Sequence, residues 1–120
     1  MQDFRKLRVW QESHALSVEV YRRTRRFPQQ EMYGLTSQMR RAAMSVPTNI
    51  AEGCGRRGSR ELARFLSIAL GSSNELHFQL LLARDLELLA PAECQDLEAR
   101  VEAIGRMLST LLRKVVAATR

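Results

Sequence analysis

Proline and glycine are scarce in this chain, 3 and 6 among 120 residues, so long stretches run without a helix breaker. Those stretches are rich in Leu, Ala, Arg and Glu, which all favour helix. No run approaches the ~20 consecutive apolar residues that a membrane-spanning helix needs. Met1-Gln2-Asp3-Phe4-Arg5 lacks the apolar stretch of a secretory signal, so a cytoplasmic location is expected. There are only two cysteines, Cys54 and Cys94, too few for a disulfide framework, and neither stands in a CxxC or Cys/His ligand spacing. Two free thiols in a reducing compartment are expected. The two histidines, His14 and His77, belong to no ExxH or HxxxH pair, which argues against a di-metal bundle site. Nothing in the sequence sets either one beside a nucleophile, and the carboxylates are too scattered to nominate an acid–base pair. The sequence therefore nominates no catalytic residue, no metal ligand and no cofactor.

What is present is helical patterning in a globular composition, 45% apolar, at a length that fits one domain over residues 1–120. A first helix is expected from Val9 to Arg26, with Val9, Ser13, Leu16, Val20 and Arg23 in helical period and Phe27-Pro28 ending it. A second is expected from Leu35 to Glu52, its inner face Leu35, Met39, Ala42, Ala43, Val46 and Ile50, with Thr36 or Ser37 as cap. Pro47 falls inside it. The apolar spacing keeps phase across Val46 and Ile50, which favours a kink over a break into two helices. After a turn at 53–58, Ser59 offers a cap and Glu61 a first-turn carboxylate for a third helix reaching Leu89. Pro91 suits the first position of a fourth. Leu62, Leu66, Ala69, Ser73, Leu76, Leu80 and Ala83 in the third, and Leu97, Val101, Ile104, Leu108, Leu111, Val115 and Ala118 in the fourth, alternate in steps of four and three. That spacing predicts ~20° packing, and the short connections make neighbours antiparallel. The expected fold is all-α: an antiparallel up-down-up-down four-helix bundle.

The third helix is more apolar than one core face requires. A second stripe holds Ile68, Gly71, Phe78, Leu82, Leu86 and Leu89, while Leu70, Leu81 and Leu88 lie on the other flank. A helix apolar nearly all round points to a further protein contact, so Ile68, Phe78, Leu82 and Leu86 are the expected homo-oligomer interface. On the second helix, Gln38, Arg41, Ser45, Asn49 and Glu52 form a polar stripe. It reads as a solvated face or, more sharply, as a hydrogen-bonded seam between subunits.

Charge is uneven. The net charge is +6, and 17 of the 19 basic residues are Arg. Residues 1–64 hold 13 basic and 6 acidic side chains, and residues 65–120 hold 6 and 7. Two clusters stand out: Arg22, Arg23, Arg25 and Arg26 at the end of the first helix, and Arg56, Arg57 and Arg60 after the second. Arg40, Arg41 and Arg64 add to the basic excess. Cations are favourable at any helix C-terminus, but four in five residues exceed what capping needs. Arg also suits bidentate phosphate contact, so these residues are candidates for RNA or DNA backbone binding. Aromatics are not interleaved with them, so base stacking is not expected. Gly53 to Gly58 match GxGxxG, but a helix precedes them and no strand follows, which favours a simple interhelical turn over a dinucleotide fold and keeps open an anion held by the turn, its arginines and the start of the third helix.

Several segments have a familiar form. Phe4-Arg5-Lys6-Leu7-Arg8-Val9-Trp10-Gln11, Phe27-Pro28, Glu31-Met32-Tyr33-Gly34-Leu35-Thr36-Ser37-Gln38, Arg40-Arg41-Ala42 and above all Ser45-Val46-Pro47-Thr48-Asn49-Ile50-Ala51-Glu52-Gly53 are similar to the 23S rRNA intervening-sequence proteins. Gly55-Arg56, Phe65-Leu66-Ser67-Ile68-Ala69 and Gly71-Ser72-Ser73-Asn74-Glu75-Leu76 extend the resemblance to about residue 90, beyond which only the pattern matches. It implies an up-down bundle that assembles into ring-like homopentamers, with no enzymatic activity and no established site. Some members are encoded inside insertions in bacterial rRNA genes. A related accessory protein of diversity-generating retroelements binds a reverse transcriptase and nucleic acid, so a reverse transcriptase or ribosomal partner is implied as well. The present chain departs in its heavier Arg load. The expectation is a non-enzymatic oligomeric module for RNA or a ribonucleoprotein, with a protein-interaction scaffold as the alternative.

Overall fold

Four helices carry three-quarters of the chain in the computed structural model, which describes residues 3–119. They are α1 (Arg8–Thr24), α2 (Ser37–Cys54), α3 (Ser59–Asp85) and α4 (Pro91–Ala118). Short helical turns at Phe4–Lys6, Gln29–Glu31 and Met32–Thr36 precede α1 and α2, and no strand occurs among the described residues. Each helix packs on its sequence neighbour, and α4 closes the square against α1. The rod measures 47 × 22 × 20 Å. Its length follows from α3 and α4, whose 27 and 28 residues each span ~40 Å.

The periodic residues form the core. Val20, Ile50, Leu66, Leu76, Leu80, Leu97 and Leu108 are sealed from solvent, with Leu16, Met39, Val46 and Ile104 beside them. The stripe on α4 fades toward its end: Leu111 and Val115 are half-buried and Ala118 is exposed. Gly53 lets α2 and α3 meet closely, since a Cβ there would lie 2.9 Å from Phe65 Cβ and 3.1 Å from Leu62 Cδ1. At the turn that follows, Gly58 adopts φ 84°, the left-handed region where glycine carries no steric cost.

Several boundaries differ from expectation. α1 stops at Thr24, leaving Arg25 and Arg26 in the turn. The expected continuity of α2 through Pro47 holds, since the helix passes it unbroken. Neither Thr36 nor Ser37 caps α2, because Met32–Thr36 already forms a helical turn whose carbonyls meet its first amides. The Ser37 hydroxyl donates to Gly34 O instead, at 3.3 Å. Ser59 is likewise inside α3, with Gly58 at the cap position. α3 ends at Asp85, not Leu89: Glu87 takes φ 60°, and the Leu88 and Leu89 amides both donate back to Ala83 O at 2.8 and 3.3 Å. Leu89 is thereby buried in the core and removed from the outer stripe. Pro91 opens α4 as expected. Cys54 and Cys94 are free, buried and at opposite ends, and burial raises both thiol pKa values.

Candidate nucleic-acid and subunit interfaces

The antiparallel topology sends the two Arg clusters to opposite ends of the rod, ~40 Å apart. At one end, the last turn of α1 meets the first turn of α4. Arg23 Nε donates to Glu19 Oε1 at 2.8 Å, and its Nη2 reaches Asp96 Oδ2 at 3.1 Å, with Glu93 3.5 Å from Nη1. Arg26 pairs with the same Glu93. Arg23 and Arg26 thus tie α1 to α4. Hydrogen bonding from Arg23 holds the Glu19 carboxyl below its ordinary range, and Arg26 does the same to Glu93. Arg22 has only a 3.7 Å contact to Glu19, and Arg25 pairs with no carboxylate among the described residues. Both line a groove of about 840 Å³ between α1 and α2.

That groove contains aromatics the sequence reading did not bring together with arginine. Trp10 stacks on His14 at 5.0 Å with 4° between planes, and Phe4 packs edge-on to Trp10. Tyr21 continues the row, with the Arg40 guanidinium 4.8 Å over its ring. Trp10, His14 and Tyr21 are spaced four and seven apart, so one helix face aligns them. That spacing was the available signal.

At the other end, Arg56 lies 3.4 Å from Glu52, and both Arg56 and Arg64 sit over the Phe65 ring, at 5.2 and 4.4 Å. Arg64 also pairs with Glu61 at 2.9 Å. Arg57 and Arg60 are exposed and have no ion-pair partner among the described residues. Within the GxGxxG-like turn the Gly55 and Arg56 amides donate to carbonyls of α2, so they are not aimed at a ligand.

On the outer face of α3, Phe78 is 62% exposed and Ile68 41%, with Leu82 half-buried, and Leu86, just past the end of the helix, is 53% exposed. Leu70, Leu81 and Leu88 pack partly against the core. Of the polar stripe on α2, Ser45 and Asn49 are half-buried, with Ser45 facing α3, while Gln38, Arg41 and Glu52 are exposed. Ser45 Oγ meets Ser72 Oγ of α3 at 2.7 Å, and Asn49 Nδ2 donates to Ser45 O at 2.8 Å. Small hydroxyl side chains let α2 and α3 approach and satisfy each other there.

A third cluster was not legible beforehand. His77 of α3 converges with Glu98 and Glu102 of α4, a set of donor atoms suited to a metal ion. Its members come from two helices, so no linear spacing announces it.

The sequence profile described as 23S rRNA-intervening sequence protein matches residues 5–110, reaching past residue 90 into α4. No curated protein matches the chain. Among solved structures, a protein of unknown function from the S23 ribosomal protein family of Bacteroides thetaiotaomicron superposes with a TM-score of 0.79 at 20% identity. The match covers 87% of this chain and 97% of that one, and it shows a shared fold. No described helix is long and apolar enough to cross a membrane. With a profile match over nearly its whole length and the four-helix fold in place, the chain belongs to the 23S rRNA-intervening sequence protein family.

Proposed function

We propose that this chain is a non-enzymatic, cytoplasmic homo-oligomer that binds RNA or DNA through its phosphate backbone. The observation that carries the reading is that each Arg cluster keeps exposed members without carboxylate partners among the described residues: Arg25 at one end, Arg57 and Arg60 at the other, with Arg22 only weakly engaged. Assembly would use the outer face of α3, where Phe78 stands 62% exposed. A heterologous contact between this face and a different surface of the neighbour forms a ring where the rotation between subunits closes. A pentamer is the stoichiometry the family resemblance implies, and a ring would repeat each Arg group around its rim so that weak phosphate contacts act together. A ribosomal RNA or a reverse-transcriptase ribonucleoprotein fits such a surface. Fluorescence anisotropy with structured RNA and with duplex DNA at low salt tests this: binding should weaken steeply with salt and barely distinguish sequences. No binding to either nucleic acid refutes it. A scaffold without a nucleic-acid role is the second reading, favoured by the arginines already engaged within the chain, Arg23, Arg26, Arg56 and Arg64.

A further inference from the structure

Away from both Arg groups, the seam between α3 and α4 carries three side chains whose donor atoms converge. His77 lies on the flank of α3 that meets α4. Glu98 and Glu102 are four residues apart on α4 and share one face. His77 Nε2 is 2.7 Å from Glu98 Oε2, and one donor atom from each of the three lies within 4.8 Å of the others. His77 and Glu98 are half-buried and Glu102 is exposed, so the group stands at the rim of the seam. His77 and Glu102 also line a cleft of about 550 Å³ with Asn74, Arg106, Thr110 and Arg113.

A simple His–Glu hydrogen bond accounts for His77 and Glu98 but not for Glu102. Arg106, one turn further on, is its natural partner along the helix. Yet Glu102 forms no hydrogen bond or ion pair with any described residue and instead stands within 4.8 Å of the Glu98 carboxylate. Two carboxylates that close repel unless a cation lies between them. A divalent ion relieves this repulsion and takes the place of the His77–Glu98 hydrogen bond. Metal–nitrogen and metal–oxygen bonds of ~2.0–2.2 Å set neighbouring tetrahedral donors ~3.4 Å apart. His77 and Glu98, 2.7 Å apart, need separate by less than ~1 Å, and the exposed Glu102 side chain can rotate inward.

We propose that His77, Glu98 and Glu102 form a divalent metal site joining α3 to α4. One imidazole and two carboxylates suit zinc, whereas calcium and magnesium prefer oxygen alone and copper(I) prefers thiolate. The three protein ligands leave a coordination position that opens on the adjoining cleft, where water or a small anion beside Arg106 and Arg113 completes the shell. The site is independent of the nucleic-acid reading.

Calorimetric titration of the full chain with zinc chloride tests it, with thermal unfolding and cobalt(II) absorption as parallel readouts. One zinc per chain, a raised melting temperature and a cobalt spectrum of a nitrogen–oxygen site are expected. His77→Ala should weaken binding by ~10-fold or more, as should the near-isosteric Glu102→Gln, which sits on the surface and leaves the fold intact. His14→Ala should bind as the unmodified chain does. The proposal is overturned if the unmodified protein takes up no zinc at micromolar concentration, or if His77→Ala and Glu102→Gln bind as well as it does.

Discussion

Gly53 is where α2 and α3 come closest, and replacing it by Ala sets two effects of opposite sign against each other. Glycine inside a helix costs about 1 kcal/mol relative to alanine, and nearer ~0.5 at the penultimate residue of α2, so the substitution gains a little helix stability. The added methyl, however, would sit 2.9 Å from Phe65 Cβ and 3.1 Å from Leu62 Cδ1. The Leu62 methyl can rotate aside. The Phe65 Cβ cannot, because it is fixed to the backbone of α3, so the helices must part. Overpacking of this kind costs about 1–3 kcal/mol, which outweighs the gain. Gly53→Ala should therefore destabilise by ~0.5–2.5 kcal/mol. At roughly 3–5 °C per kcal/mol for a chain of this length, the melting temperature should fall by about 2–12 °C. Gly105→Ala is the matched control: a Cβ there meets nothing within 4 Å, in the middle of α4, so it should stabilise by ~0.5–1 kcal/mol. Thermal unfolding followed by circular dichroism at one protein concentration measures both. A Gly53→Ala protein as stable as the unmodified chain would show that the two helices are not locked together there.

Phe78→Glu puts a charge in the most exposed part of the α3 face and should dissociate the proposed oligomer in light scattering, while unmodified protein that stays monomeric at micromolar concentration rejects that interface. Arg22→Gln with Arg25→Gln should weaken nucleic-acid binding and flatten its salt dependence by about 0.9 per lost phosphate contact on duplex DNA, without loss of stability; an unchanged slope removes these residues from the interface. Arg23→Gln with Arg26→Gln should instead lower stability, since it unties α1 from α4. The carboxyls of Glu19 and Glu93 are held below their ordinary value of 4.5, so their contribution is full above that value and is lost as pH falls through the lowered one. The melting temperature should therefore drop on acidification below about 4.5, and drop less in the Arg23→Gln, Arg26→Gln protein, whereas parallel pH curves would assign those carboxyls no part in stability.

Much of this molecule can be read along the chain. The inner faces of all four helices follow from apolar spacing, because burial repeats with the turn of the helix: Leu16 and Val20, Val46 and Ile50, Leu76 and Leu80, Leu97 and Ile104 are all buried. Pro91 marks the start of α4, since its missing amide costs nothing at a helix's first position. The end of α3 was hidden because Leu88 and Leu89 continue the apolar pattern, while the reversal depends on one backbone angle at Glu87. Apolar spacing says what is buried, not where the backbone turns.

The alternation of buried positions and the near-absence of helix breakers determined that four helices form and which side of each faces in. Only the tertiary structure decided what the polar side chains do. Arg23 meets Glu93 and Asp96 across 70 and 73 positions of sequence, which engages it, while Arg25 has no carboxylate partner among the described residues, though the two stand in one basic run. Ser45 finds Ser72, and His77 finds Glu98 and Glu102, in the same way. Burial is a property each residue carries in its own chemistry and repeats along its helix. Pairing depends on which helices become neighbours and in what register, and that is set only when the bundle closes.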